Sequence, residues 1–313
     1  FYINTFGLVF LNYTELFFTF LILLSIDLFT QNKKLLFYLC GVSIAATVAV
    51  RPVGWALLSA IILVDVIISI QNKKINFRII YLFSGLITFI LFFGMFNKLH
   101  FNKFIFTSST GPVNLLLGAN ETATGAFDSE VFEIGNRGFI ANPDTINYLE
   151  TGDYYFNQAI DWITKNPVKW ISLMPMKVLH TFATDDIAVA SLLQTEEWNF
   201  VRTIKSILIK KDLQSILKGK STSTKVFYYL IQCITHIYYY LFFIILVLGL
   251  FKIRKEIRIN FPYLLPILFV LIGILMIMVT VGTPRYKYPF VIVMIPFAAS
   301  YLYNLLSSKV NKS

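Results

Sequence analysis

From residue 261 to 281 the chain carries no charged side chain. Such a run must either be wrapped by protein on every side or lie in lipid. Six further mainly apolar stretches, at about 14–30, 35–50, 53–70, 77–96, 226–251 and 287–306, decide between the two. A spanning helix needs about 20 apolar residues, fewer where the bilayer adapts. With 57% hydrophobic and only 14% charged residues, the chain holds more apolar surface than one water-soluble core could hide. A soluble domain carries roughly 25% charged residues, and a disordered chain carries fewer apolar ones than this. The expectation is an all-α polytopic membrane protein of about seven transmembrane helices, with residues 1–11 as the stump of an eighth. The chain opens at Phe1 inside an apolar stretch without an initiator Met or a signal-peptide flank, so we expect an N-terminal part before it.

The basic loops orient these helices, because cytoplasmic connections collect Lys and Arg while long loops escape that rule. Lys33 and Lys34, then Lys73, Lys74 and Arg78, then Lys252, Arg254, Lys255 and Arg258, then Lys309 and Lys312 alternate onto one side. That side is expected to be the cytoplasm, with the C-terminus in it. The stretch 97–225 falls on the other side and balances 13 Lys/Arg against 13 Asp/Glu. The net +10 of the chain therefore reflects topology beside anionic lipid, not nucleic-acid binding. Three regions follow: membrane helices in 1–96, an extracytoplasmic region with amphipathic helices in 97–225, and membrane helices in 226–313.

Inside the outer region, 113–117 reads as a short extended segment, followed by an Asn-, Thr- and Gly-rich turn region to Gly125. The spacing of Tyr155, Ala159, Trp162 and Ile163 predicts an amphipathic helix over 153–164. Asn166-Pro167 then predicts an N-cap with Pro at the first position of a second helix, carrying Trp170, Leu173, Met174 and Lys177. Its apolar face is expected on the membrane surface. The basic stretch 202–225 is expected to lie there too.

Charged groups near a bilayer are costly and are functional candidates by default. Glu15, Arg51 and Arg285 all map to outer helix ends, where they can converge on one cavity. Each has a plainer reading: a first-turn carboxylate favoured by the helix dipole for Glu15, snorkelling for Arg51, and an interfacial anchor for Arg285 with Tyr286, Lys287 and Tyr288. Asp65 lies mid-helix, where helix–helix hydrogen bonding is the plainer role. Guanidinium groups at headgroup level suit a lipid-linked phosphate, since they bind its oxygens in pairs and stay charged. His100, His180 and His236 lack metal-ligand spacing, and Cys40 and Cys233 sit in apolar runs. No metal site is expected from these side chains.

Four stretches resemble membrane glycosyltransferases of the GT-C superfamily, in the branch with protein mannosyltransferases and bacterial aminoarabinose transferases. They are Tyr13-Thr14-Glu15-Leu16-Phe17, Ala49-Val50-Arg51-Pro52-Val53-Gly54, Asn114-Leu115-Leu116-Leu117-Gly118-Ala119-Asn120 running to Ala123-Thr124-Gly125, and Gly282-Thr283-Pro284-Arg285-Tyr286-Lys287-Tyr288-Pro289. The resemblance implies a polyprenyl-phosphate sugar donor, an acceptor on the outer face, and the bacterial inner membrane. On that expectation the donor phosphate falls to Arg51 and Arg285, with Lys287 and Lys177 as further candidates, substrate contacts to Tyr286, Asn114 and Asn120, and a secondary carboxylate role to Glu15. The family's main carboxylate lies in its first outer loop, which has no counterpart in these residues, so no general base is named. Thr283 stands where the family often has Glu. No cofactor is implied, and a divalent cation stays open. The rival class is a transporter or lipid-carrier flippase without chemistry; a receptor or scaffold with a binding domain outside is a third.

Overall fold

The computed structural model describes residues 13–31, 33–73, 76–108, 110–141, 148–183, 222–257 and 261–310. Among them the chain is helical, with one isolated parallel bridge, Ala126 to Gly282, as its only extended pairing. The long helices are α1 (Tyr13–Thr30), α2 (Lys34–Val50), α3 (Gly54–Asn72) and α4 (Arg78–Phe101). A short α5 (Thr110–Leu117), a 3₁₀ turn (Ser129–Phe132), α6 (Tyr148–Lys165) and α7 (Pro167–Phe182) follow. The chain closes with α8 (Thr222–Ile257), α9 (Phe261–Val279), a 3₁₀ turn (Pro284–Lys287) and α10 (Tyr288–Val310).

Among the described residues, five helical segments are long and apolar enough to cross a membrane: Gly54–Asn72, Arg78–Phe101, Cys233–Arg254, Pro262–Val279 and Pro284–Ser307. They support an integral membrane protein. The expected segment 35–50 forms α2, a shorter apolar helix of 17 residues, and 14–30 lies in α1, which is not among the five. Side chains on the spans face outward as lipid-facing ones do, with Phe92 73% and Ile80 59% exposed.

Local chemistry sets the breaks. Arg51 precedes Pro52, whose ring excludes the helical conformation at the residue before it. Arg51 is accordingly extended at φ −149° and ψ 137°, and α2 stops there. Helix α3 ends on Lys73 and α4 on Asn102, both left-handed, at φ 50° and 55°.

The chain divides into two compact units, one of residues 1–16, 181–254 and 284–313, the other of 17–180 and 255–283. In the second, α2 packs on α4 and α3 on α9. The α2–α4 crossing is made by two glycines: a β-carbon on Gly41 would strike the Leu82 carbonyl, and one on Gly85 would strike the Tyr38 carbonyl. Small residues let membrane helices approach backbone to backbone, where burial of side chains against lipid gains little. Ser25 and Ser43 share a buried hydroxyl bond of 2.9 Å, and Ser25 also donates to the Leu21 carbonyl at 2.7 Å. Deeper in the same unit, Asp65 of α3 accepts from Asn76 Nδ2 at 2.9 Å and from Arg78 Nε at 3.2 Å. The Arg78 guanidinium lies 5.6 Å from the Phe29 ring and 4.7 Å from Phe37. The helix-bonding reading of Asp65 thus finds its partners at the start of the next helix.

In the first unit, Tyr239, Tyr288 and Val291 form a buried cluster packed by Phe242, Phe243 and Ile295. Gly249 of α8 lets the Phe297 carbonyl of α10 come close, 2.9 Å from where a β-carbon would stand.

Candidate functional site

Helix α7 begins as its sequence requires. Pro167, which has no N–H to lose, takes the first position, and the Asn166 carbonyl accepts from Trp170 N at 3.0 Å. From there the period of the helix puts Trp170 and Lys177, two turns apart, on one face. That face is the inner one: Lys177 is fully buried. Its ammonium donates to the Val279 carbonyl at 3.2 Å and sits 5.5 Å from the Trp170 ring centroid. Burial lowers the Lys177 pKa from 10.5 to about 8, since desolvation disfavours the charged amine. The same cause lowers His180, three residues on.

Two other segments close around this lysine. The first is the stretch 114–125. Residues 113–117 were expected to be extended, and they are instead the end of a helix, α5. A short apolar run cannot be assigned by periodicity alone, and burial of Leu115, Leu116 and Leu117 together is met here by a helix end packed on α6. Asn120 finishes that helix. Its Nδ2 donates to the carbonyls of Leu116 at 2.8 Å and Leu117 at 3.2 Å, and its Oδ1 accepts from the backbone N and hydroxyl of Thr122, each at 2.9 Å. Asn114 contributes its carbonyl to Gly118 N at 3.3 Å. Gly118 passes so close that a β-carbon there would strike the Thr280 carbonyl and stand 3.0 Å from the Lys177 ammonium. Gly125, at φ +93°, lies against Met176 and the Lys177 backbone.

The second segment follows α9. Gly282 N donates to the Gly125 carbonyl at 2.9 Å, and a β-carbon on Gly282 would strike the Lys177 carbonyl. Three stretches that stand out in the sequence therefore meet on one buried amine at the end of a membrane-length helix. Beside it, the Trp170 Nε1 is buried without a hydrogen-bond partner among the described residues. A buried N–H left unpaired costs about 1–3 kcal/mol, so a ligand oxygen reaching it would recover that cost.

Above this layer, Arg137 ties the 114–141 loop to α6. Its Nη2 and Nε donate to Glu121 Oε1 at 2.7 and 3.0 Å, and its Nη1 to Asp161 Oδ2 at 2.7 Å. The guanidinium beside Glu121 holds that carboxyl below its ordinary value.

In the first unit, Lys287 is also fully buried, 4.4 Å from the Tyr239 ring and 5.8 Å from Tyr288. Arg285 and Tyr286 precede it in the same 3₁₀ turn, partly exposed, the guanidinium 5.5 Å from the Tyr286 ring. Glu15 is buried on α1 and belongs to this unit. Arg51 belongs to the other, at the α2–α3 break, 5.8 Å from the Phe18 ring. The acidic pairs Asp185-Asp186 and Glu196-Glu197 and most of the basic stretch 202–225 lie outside the described residues. Among the described residues no group of His, Cys, Asp and Glu is arranged to hold a metal ion.

Sequence reasoning placed Lys177 but not its setting. Trp170 and the Val279 carbonyl went unassigned, the first read only as part of an apolar face, the second reached from 102 residues away. Compared with protein-family models, with curated proteins and with solved structures, the chain matches none of them.

Proposed function

We propose that this chain is a membrane glycosyltransferase that moves a sugar from a polyprenyl-phosphate carrier to an acceptor on the extracytoplasmic face of a bacterial inner membrane. The observation that carries this reading is the Lys177–Trp170 pair: a buried ammonium and a buried, unpartnered indole N–H on one helix face, at the end of a span. A tail-bearing phosphate offers the indole N–H an acceptor oxygen and the ammonium a negative charge, while its tail remains in lipid. Glycine at 118, 125 and 282 brings three backbones up to that face.

In this reading the seven-span layout holds, with 97–225 outside and the C-terminus inside. Within one unit Arg51 and Lys177 serve the donor phosphate and Asn114 and the Asn120 turn line the substrate path; in the other, the resemblance alone gives Arg285 and Lys287 the phosphate role, Tyr286 a substrate contact and Glu15 the orienting of sugar or acceptor. The acceptor oxygen attacks the anomeric carbon as the carbon–oxygen bond to phosphate breaks. The carrier phosphate leaves as an anion, so cations that meet its growing charge supply the main stabilisation. The acceptor proton needs a carboxylate base, which the resemblance assigns to the family's first outer loop. The transporter alternative draws on ionisable groups near the midplane. Asp65, the first of them, is already bonded to Arg78 and Asn76.

The test is transfer of label from radiolabelled polyprenyl-phosphate sugars in membranes holding the full-length protein. Label should leave the carrier with the wild type and not with Arg285→Ala or Lys177→Met. Label that crosses the bilayer still attached to its carrier would replace this reading with the flippase.

A further inference from the structure

Helix α7 has a second face, and nothing in the phosphate reading uses it. Val168 is 80%, Ile171 57% and Leu179 44% exposed, and Pro175 is exposed with them. At about 100° per residue these four fall within an arc of about 80°. Lys177 and Trp170 project from the opposite side. The bordering polar side chain, Ser172, turns its hydroxyl back to the Lys169 carbonyl at 2.7 Å. A stripe of this kind in water would be a costly exposed patch.

Two contacts, each within its own unit, bear on where α7 lies. In its middle, Lys177 holds the carbonyl of Val279, the last residue of a membrane-length helix. At its end, the Phe182 and Ala183 carbonyls accept from the Tyr239 and Tyr240 hydroxyls at 2.7 and 2.5 Å, and the Phe182 ring meets Phe243 edge-on at 6.3 Å. All three aromatic partners lie in the apolar stretch Cys233–Arg254. The final carbonyls of a helix have no partner within it and take water where water is present. In lipid that option is gone, and protein donors must replace it. Two phenols doing so mark the end of α7 as lying at membrane level.

We propose that α7 is a monotopic helix lying in the outer boundary of the bilayer, with Val168, Ile171, Pro175 and Leu179 buried among phospholipid chains. The bilayer covers this face, and the helix thereby holds the Lys177 ammonium at headgroup depth. The placement stands whether or not the chain transfers sugar.

Nitroxide labels report it directly. In a Cys233→Ser background, with Cys40 buried, the full chain is reconstituted in phospholipid nanodiscs carrying Val168→Cys, Ile171→Cys or Leu179→Cys. Phe92→Cys on a lipid-facing span and Glu133→Cys on the exposed loop serve as references. Collision with oxygen should be high and with a water-soluble nickel chelate several-fold lower than at position 133, matching position 92. Nickel access equal to position 133 would put the stripe in water and overturn the proposal. Shielding from both reagents would also overturn it, by showing protein on this face, and spin–spin broadening would then identify a second copy.

Discussion

The Lys177 ammonium and the Val279 carbonyl face each other across 3.2 Å although 102 residues separate them. The contact joins the amphipathic layer to the end of a span, and it places a titratable cation where water is scarce. Several measurements follow from that setting and from the bonds around it.

The first concerns pH. With Lys177 near 8 rather than 10.5, the empty protein loses this cation as pH rises through 8. Binding of polyprenyl phosphate in nanodiscs should be level from about pH 7, above the second pKa of the phosphate itself, up to that point. Above it, affinity should fall by about tenfold per pH unit until the bound-state pKa is reached. Lys177→Gln should bind weakly and lose this dependence. Stability of the empty protein runs the opposite way: the unfolded lysine keeps its proton to 10.5 while the folded one does not, so burial costs least at high pH. Thermal unfolding between pH 8 and 10.5 should show wild type gaining on Lys177→Met.

The second concerns the pair within the membrane helices. Asp65→Ala removes the carboxylate that Arg78 bonds and leaves a guanidinium whose side chain is 22% exposed. We expect a loss of about 2–3 kcal/mol, below the full range for breaking a buried pair because Arg78 keeps some access to solvent. Removing both groups in Asp65→Leu/Arg78→Leu should recover much of that loss. Chemical denaturation in detergent micelles distinguishes the three proteins.

How much of this was legible can be judged residue by residue. Pro at 52 and at 167 acts through its own ring, so the α2 stop and the α7 start could be read locally and both are found. Residues 113–117 were misread because five mostly apolar residues fit a strand as well as a helix end. Arg78 looked like one more positive charge of an inner loop; its bond to Asp65 depends on how the α3–α4 connection folds back. The period of α7 groups Trp170 with Lys177, but that face, expected on the membrane surface, turns inward, because the Val279 carbonyl it meets belongs to a backbone no local pattern addresses.

The third concerns close approach. Gly282→Ala would drive a methyl into the Lys177 carbonyl, and Gly118→Ala into that of Thr280. Backbone cannot yield as a side chain does, so each should cost about 3 kcal/mol. Gly135, at positive φ and with nothing within 4 Å, is the control: Ala there should strain only its own turn. Melting temperatures of the three variants check the order.

The fourth concerns the outer loop. Arg137 lowers the Glu121 carboxyl below 4.5, so the bond's contribution is complete at neutral pH and is lost as pH falls through the folded value. Protection factors in 121–141, which remove the intrinsic slowing of amide exchange in acid, should fall as acid reaches that range. Arg137→Ala should show the low protection already at pH 7, with little further change on acidification.

Gly41 and Gly85 carry a consequence of a different sort. Each leaves room for a carbonyl of the other's helix, so neither position can take a mutation alone and be rescued by shrinking its neighbour, for there is no atom left to remove. Lipid-facing positions such as Ile80 and Phe92 can drift among apolar residues through long descent. These two should stay fixed in any lineage that keeps the fold, as a shared signature of ancestry written in missing atoms.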